Sequence, residues 1–299
     1  MAIESPYAAR LAEIPVVADT VEVLGSATRY WSYGPADAAV TIVLVHGYRG
    51  EHHGIEPIVA FLPGIRFLSP DLPGFGESSP FVGREHSAEN YALWLAAFMD
   101  ALGVTGSAYL LGHSFGSIVA ATAVADGLTT RGLILVNPIA ISGLAGPRRI
   151  ATAITVGYYG LARRLPARLG YALLRSTLIV RAVSIAMVKT DDVSLRRWVH
   201  DQHDRYFSRF ANRDVVVEGF AASVSHAILD LAARLIVPTL LVAAAQDDIT
   251  PLRAQRDLLA ALPDGELTVI DGVGHLIHYE TPQPAAAAIA AFIERTNAR

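Results

Sequence analysis

The 299-residue sequence predicts an α/β fold, a mostly parallel sheet with helices on both faces and a long helical insertion late in the chain. Three observations carry this. Short apolar strand-length runs alternate with segments of helical spacing, the pattern of a sheet covered on both sides. Gly112-His113-Ser114-Phe115-Gly116 stands between the apolar-ended run Ser107–Leu111 and a stretch of small helix-compatible residues, as a sharp strand-to-helix turn would. From Pro138 to about Ala233, turn-bounded strand runs disappear while arginine and aromatic residues become frequent.

Taken in order, Ala8–Glu13 is compatible with a short helix, and the β-formers from Val21 to Tyr33, stopped by Gly34-Pro35, suggest an opening antiparallel pair. Val40–Val45 is a continuous buried strand ending in His46-Gly47-Tyr48-Arg49-Gly50. A helix is expected from Ile55 to Leu62, then a strand over Arg66–Ser69 and the turn-rich stretch Asp71-Leu72-Pro73-Gly74-Phe75-Gly76-Glu77-Ser78. Tyr91, Trp94, Leu95, Phe98 and Leu102 fall at helical spacing before the stop at Gly103. Gly132–Val136 is another buried strand. After the insertion, Thr239–Ala244 and Glu266–Ile270 read as strands, and Pro251–Leu262 and Pro284–Asn297 as helices. Ordinary crossovers between strands are far shorter than residues 138–233, so this segment is expected to be a lid, with residues 1–137 and 234–299 forming the core.

The turn at Ser114 suggests nucleophilic chemistry. A serine hydroxyl is a poor nucleophile near neutrality and needs a base in hydrogen-bond reach, itself oriented by a carboxylate. Asp247 and Asp248 follow one late strand and His275 follows the next, at the sheet edge where open α/β folds present ligand-facing groups.

On these residues the chain resembles the α/β-hydrolase superfamily across essentially its whole length. The resemblance rests on His46-Gly47, the Asp71–Ser78 stretch, the Gly-x-Ser-x-Gly turn, Asp247 four residues before Pro251, and Gly274-His275 followed by Glu280-Thr281-Pro282. It implies an α/β-hydrolase fold with Ser114 as nucleophile, His275 as base and Asp247 as acid. Asp248 is the rival acid, since nothing in the residues themselves excludes it. Backbone N–H groups of Tyr48 and Phe115 are the implied oxyanion donors. Haloalkane dehalogenases and epoxide hydrolases of this fold place a carboxylate at the turn, so Ser114 implies acyl transfer. Carbon–carbon hydrolases of ring-fission products share the serine triad but usually carry a longer Gly/Pro-rich loop than His46–Gly50, which favours an esterase. The Gly47–Gly50 loop, Asn137-Pro138 and Leu195–Trp198 with the His200–Phe207 stretch are similar to hydrolases of monoalkyl phthalates, of the mono-ethylhexyl phthalate type. That implies a small ester with a free carboxylate, and Arg49, His113 and Asn137 as substrate contacts, with Arg148 and Arg205 as further candidate cations. A thioesterase or perhydrolase would use the same triad, and a binding protein on this fold would have a remodelled site.

Composition narrows the classes. A net charge of −4 offers no footprint for nucleic acid. The absence of cysteine excludes disulfides, thiol catalysis and cysteine-based metal sites. No cofactor or metal is expected; His200 and His203, three apart, lack a third ligand and read as a solvated helix face. No block of like charge suggests a polybasic membrane contact, no uncharged apolar run is long enough to span a bilayer, and Met1–Pro6 does not begin like a secretory signal. The expectation is therefore a cytoplasmic enzyme whose partner is a small-molecule ester, without nucleic acid or membrane, and with a homodimer left open.

Overall fold

The computed structural model describes residues 3–144 and 149–299. After the short helix α1 (Ala8–Leu11), strands β1 (Val16–Val23) and β2 (Ser26–Tyr33) form an antiparallel hairpin. Next come β3 (Thr41–Val45), α2 (Glu56–Val59), β4 (Arg66–Pro70), α3 (Ala88–Ala101), β5 (Tyr109–His113), α4 (Phe115–Ala125) and β6 (Leu133–Val136). Among the described residues, five α-helices follow without a strand: α5 (Arg149–Arg164), α6 (Ala167–Leu174), α7 (Thr177–Met187), α8 (Val193–Tyr206) and α9 (Arg213–Ser225). The chain closes with β7 (Thr239–Ala244), α10 (Leu252–Ala261), β8 (Gly265–Ile270), α11 (Ile277–Glu280) and α12 (Pro282–Asn297).

The eight strands form one sheet in the order β1-β2-β4-β3-β5-β6-β7-β8, antiparallel at the β1 and β2 end and parallel from β4 to β8. Both faces are buried, which is why the central strands read as unbroken apolar runs. Within β3, Val43 and Val45 pack into the layer that holds α3 and α4, while Ile42 and Leu44 pack into the layer of α2 and α12. The same alternation divides Leu110 from Leu111 and Leu133 from Ile134. Ser87 caps α3 by accepting from Asn90 N–H, and Trp94 and Phe98 bury completely against the sheet.

The early elements depart from expectation. The first strand begins at Val16, five residues before Val21, because its exposed half, Val16 to Thr20, carries no apolar-polar alternation to mark it. The helix expected over 55–62 shrinks to four residues after a single 3₁₀ turn at His52–Gly54. The helix α11 spans four residues, too few to show a helical periodicity in the sequence.

Candidate active site

The site is assembled at the C-terminal ends of β3, β5, β6, β7 and β8. Ser114 sits between β5 and α4 with φ 52° and ψ −118°, a left-handed conformation rare outside glycine. Its neighbours make that turn possible. A Cβ on Gly112 would stand 2.4 Å from Gly116 O, and one on Gly116 would stand 2.1 Å from Val45 O, so strand, turn and helix close on each other only without those side chains. The strain at Ser114 is held by Ser114 N–H donating to Val136 O and by the fully buried α4 behind it.

His275 lies in the loop between β8 and α11, and its ring spans the gap between Ser114 and Asp247. Its Nε2 is 2.8 Å from Ser114 Oγ and its Nδ1 is 2.7 Å from Asp247 Oδ2. Asp247 is fixed from all sides: Ile249 and Thr250 N–H donate to Oδ1, and Thr250 Oγ1 and Asn137 Nδ2 donate to Oδ2. Burial pushes its pKa up, but the charge and hydrogen bond of His275 and the donors of Thr250 outweigh that and hold it well below the usual carboxylate range. Asp248 points elsewhere, to the Lys189 ammonium at 2.7 Å, with a side chain 38% exposed. The geometry thus separates the two neighbouring carboxylates.

The loop after β3 lies against the serine: a Cβ on Gly47 would approach Ser114 Cβ to 3.3 Å. This brings Tyr48 beside Ser114, while Phe115 opens α4, where its N–H has no preceding helical carbonyl to reach. His46 is a loop-ordering residue, its Nδ1 bonded to Gly47 O and its Nε2 accepting from Leu72 N–H. The Asp71–Ser78 stretch orders this same corner: Asp71 accepts from His52 and from Glu77 N–H.

Around Ser114 and His275 opens a cavity of about 570 Å³, walled by the core and by the inserted helices. Its lining includes Tyr48, Phe115, Ile139, Tyr158, Tyr159, Ile179, Val183, Phe207 and Phe220. Apolar surface dominates, as in small-molecule sites generally. Tyr159 stacks on Phe220 at 4.0 Å, and Tyr48 anchors this wall by donating to Val216 O at 2.7 Å.

The expected substrate contacts separate here. His113 lines the cavity, and burial, reinforced by the His275 charge, depresses its pKa to about 3, so it is neutral. Asn137 does not line the cavity; with φ 46° it turns its amide onto Asp247 instead. Arg49 borders the cavity but is only 3% exposed, and its guanidinium donates to Phe207 O, Leu174 O and Ser208 Oγ while lying over the Phe207 ring at 4.5 Å. The substrate cation expected at Arg49 is therefore a tie between the β3 loop and the inserted helices. Arg205 pairs with Asp201 one turn away, and Arg148 lies outside the described residues. His200 and His203 also differ from expectation: both ring Nδ1 atoms meet Ser184 Oγ, at 2.6 and 2.7 Å, and His203 is buried on the cavity wall. No polarity pattern in the sequence marks His278 and Tyr279, which α11 places beside His113 and in the cavity lining. Glu51, His52 and His53 bring potential ligand atoms within 4.8 Å of each other, but the Nδ1 atoms of both histidines are already engaged, by Asp71 and Glu51.

Fold and sequence together define the class: a match to the alpha/beta hydrolase family model runs over residues 42–288, and the chain belongs to that family, as a hydrolase. Among curated relatives it is 27% identical over 277 residues to a 2-hydroxy-6-oxononadienedioate/2-hydroxy-6-oxononatrienedioate hydrolase of Pseudomonas putida, covering 86% of this chain and 89% of that one. It is likewise 27% identical over 236 residues to a 2-hydroxy-6-oxo-6-phenylhexa-2,4-dienoate hydrolase of Burkholderia cepacia, with 78% of each chain covered. A thermophilic esterase from Thermogutta terrifontis superposes with a TM-score of 0.73 at 22% identity, over 93% of this chain and 99% of that one, a likeness of fold alone.

Proposed function

We propose that the chain is a serine hydrolase that cleaves carboxylic esters with an extended apolar arm, through an acyl-enzyme on Ser114. The observation that carries this reading is the unbroken relay from Ser114 Oγ to His275 Nε2 at 2.8 Å and from His275 Nδ1 to Asp247 Oδ2 at 2.7 Å. In the proposed reaction Ser114 Oγ attacks the acyl carbon while His275 Nε2 takes its proton. The N–H groups of Phe115 and Tyr48 receive the developing oxyanion. As the tetrahedral adduct collapses, His275 returns the proton to the leaving alkoxide. A water then repeats the sequence on the acyl-enzyme and releases the acid. Asp247 keeps the imidazole oriented and stabilises its charged form.

A second reading, hydrolysis of a carbon–carbon bond in ring-fission products, is favoured by the relatives of Pseudomonas putida and Burkholderia cepacia. A dioate such as the first of these is named for would bring two carboxylates. Among the described residues lining the cavity the only arginine or lysine is Arg49, whose guanidinium is engaged by backbone carbonyls. The apolar walls therefore favour the ester, and the same argument removes support from the free-carboxylate monoester expected from the sequence.

Pre-steady-state hydrolysis of a p-nitrophenyl butyrate tests the proposal. The wild-type protein should release a burst of nitrophenol, and Ser114→Ala should abolish it with the fold unchanged. A monoalkyl phthalate, its dialkyl ester and a 2-hydroxy-6-oxodienoate assayed in parallel discriminate the substrate classes. Full activity in Ser114→Ala, or turnover of the dienoate with none of the esters, would overturn the reading.

A further inference from the structure

The inserted helices carry an outer face that the cavity chemistry does not use. On α7, Val180 and Ser184 point inward, whereas Leu178 is 82% and Ile185 61% exposed, one stripe at helical spacing. On α5 and α6, Ile154, Leu161 and Leu169 are 71%, 50% and 57% exposed. Eighteen consecutive residues within Ala167–Met187 reach a mean hydropathy of 1.4 with only 22% of them buried, so their apolar residues are not explained by a core. Isolated apolar side chains on a surface mean little, but several on neighbouring helices do.

Two further observations say what covers this face. First, charge: between Asp126 and Asp191 the sequence has no Asp or Glu, while the same helices present Arg163, Arg164 and Arg168, exposed and without an ion pair among the described residues. Second, continuity with the cavity: Ile154, Val183 and Ile249 are exposed at 71%, 38% and 49% and also line it, so the cavity opens onto this face. Exposed cations on the same group of helices as exposed apolar side chains match an anionic lipid surface, where arginines meet headgroups and the apolar side chains enter the acyl boundary. A membrane span is not implied, because the stretch turns at Arg175-Ser176 and carries Arg168, Arg175 and Arg181. We propose that α5–α7 dock the protein on an anionic lipid bilayer, with the cavity mouth facing the lipid. This departs from the expectation of no membrane contact. Arg163, Arg164 and Arg168 fall on two helices and are interleaved with apolar residues, so the sequence shows no polybasic block. The proposal stands whether the bond cleaved is an ester or a carbon–carbon bond.

The test is flotation of the full chain with vesicles of phosphatidylglycerol and phosphatidylcholine in equal parts, against phosphatidylcholine alone, at low and high salt. Binding should require phosphatidylglycerol and weaken with salt. Arg163→Gln, Arg164→Gln and Arg168→Gln combined should lower it on the order of a hundredfold, about fivefold per cation near the surface. Leu178→Asp with Ile185→Asp should lower it by about tenfold or more, since the apolar contact is lost. Both variants sit on exposed positions, and unchanged thermal unfolding would show that they fold. Absence of vesicle binding, or binding indifferent to both variants, overturns the proposal. So does a wild-type dimer in sedimentation that Leu178→Asp dissociates, which would assign the face to a second copy of the chain.

Discussion

At the scale of single residues the decisive contrast is between two adjacent carboxylates. Asp247 is 6% exposed and accepts from His275, Asn137, Ile249 and Thr250, whereas Asp248 reaches outward to Lys189. Asp247→Asn should therefore leave the imidazole misoriented and its cation unsupported, with kcat falling by up to about four orders of magnitude. Asp248→Asn should cost little beyond a surface ion pair. Steady-state kinetics on the two variants check this, and a reversed ranking would contradict the proposed relay. Asn137→Ala removes one donor and leaves Thr250 and the backbone in place, so a loss of about tenfold or less in kcat is expected, with KM unchanged because the residue stands off the cavity. Equal effects on kcat and KM would return Asn137 to the substrate.

At the scale of elements, the inserted helices are joined to the core by a continuous apolar seam, in which Tyr159, Leu174, Val216 and Phe220 pack into the same buried cluster as Phe75 and Phe115, and by polar ties across it. Arg49 reaches Leu174 O at the end of α6 and Phe207 O just after α8, and Gly76 N–H and Ala211 N–H exchange bonds with Arg209 O and Gly74 O across the gap. Removing Arg49 leaves buried carbonyls without donors, which costs about 1–3 kcal/mol each. Arg49→Ala should lower the unfolding temperature and increase proteolysis within residues 149–225. Arg49→Lys should rescue only part of this, since an ammonium cannot bond two divergent carbonyls and stack on Phe207 together. If Arg49 instead bound a substrate carboxylate, the variant would raise KM for a monoester and leave stability alone. Limited proteolysis beside kinetics on mono- and diester separates the two outcomes.

At the scale of the whole molecule, buried histidines couple the fold to pH. Burial depresses His86 to about 4 and His203 to about 3, as it does His113. In the unfolded chain each would titrate near about 6.5. As pH falls below that value the unfolded state takes up protons that the folded state refuses, so the stability these groups confer is present above about pH 6.5 and is lost progressively toward pH 4. Each contributes up to about 1.4 kcal/mol per pH unit in that window. Urea midpoints should drop between pH 6.5 and 4, more steeply in the wild type than in His203→Gln. A flat midpoint over that range would show that these rings are accessible to protons in the folded state.

The strand-and-helix alternation, the strand-to-helix turn at Ser114 and the order serine, acid, histidine along the chain are legible in the residues alone. These follow from local causes: apolar runs that suit a doubly covered sheet, and glycines flanking a serine where no Cβ can fit. Which atoms meet depends on packing between distant segments. The spacing to Pro251 favours Asp247 but leaves Asp248 as a rival, because a one-residue offset in a loop reverses a side chain's direction, and that direction is set by Asn137, just past β6, and by Thr250. Arg49 reads as a free cation until α6 and α8 bring carbonyls to it, more than a hundred residues away. His203 reads as solvated until Ser184 of α7 and the cavity wall enclose it. Helix spacing cannot say which neighbour covers a face, so the exposed stripe of Leu178 and Ile185 becomes visible only once α5–α9 have been packed.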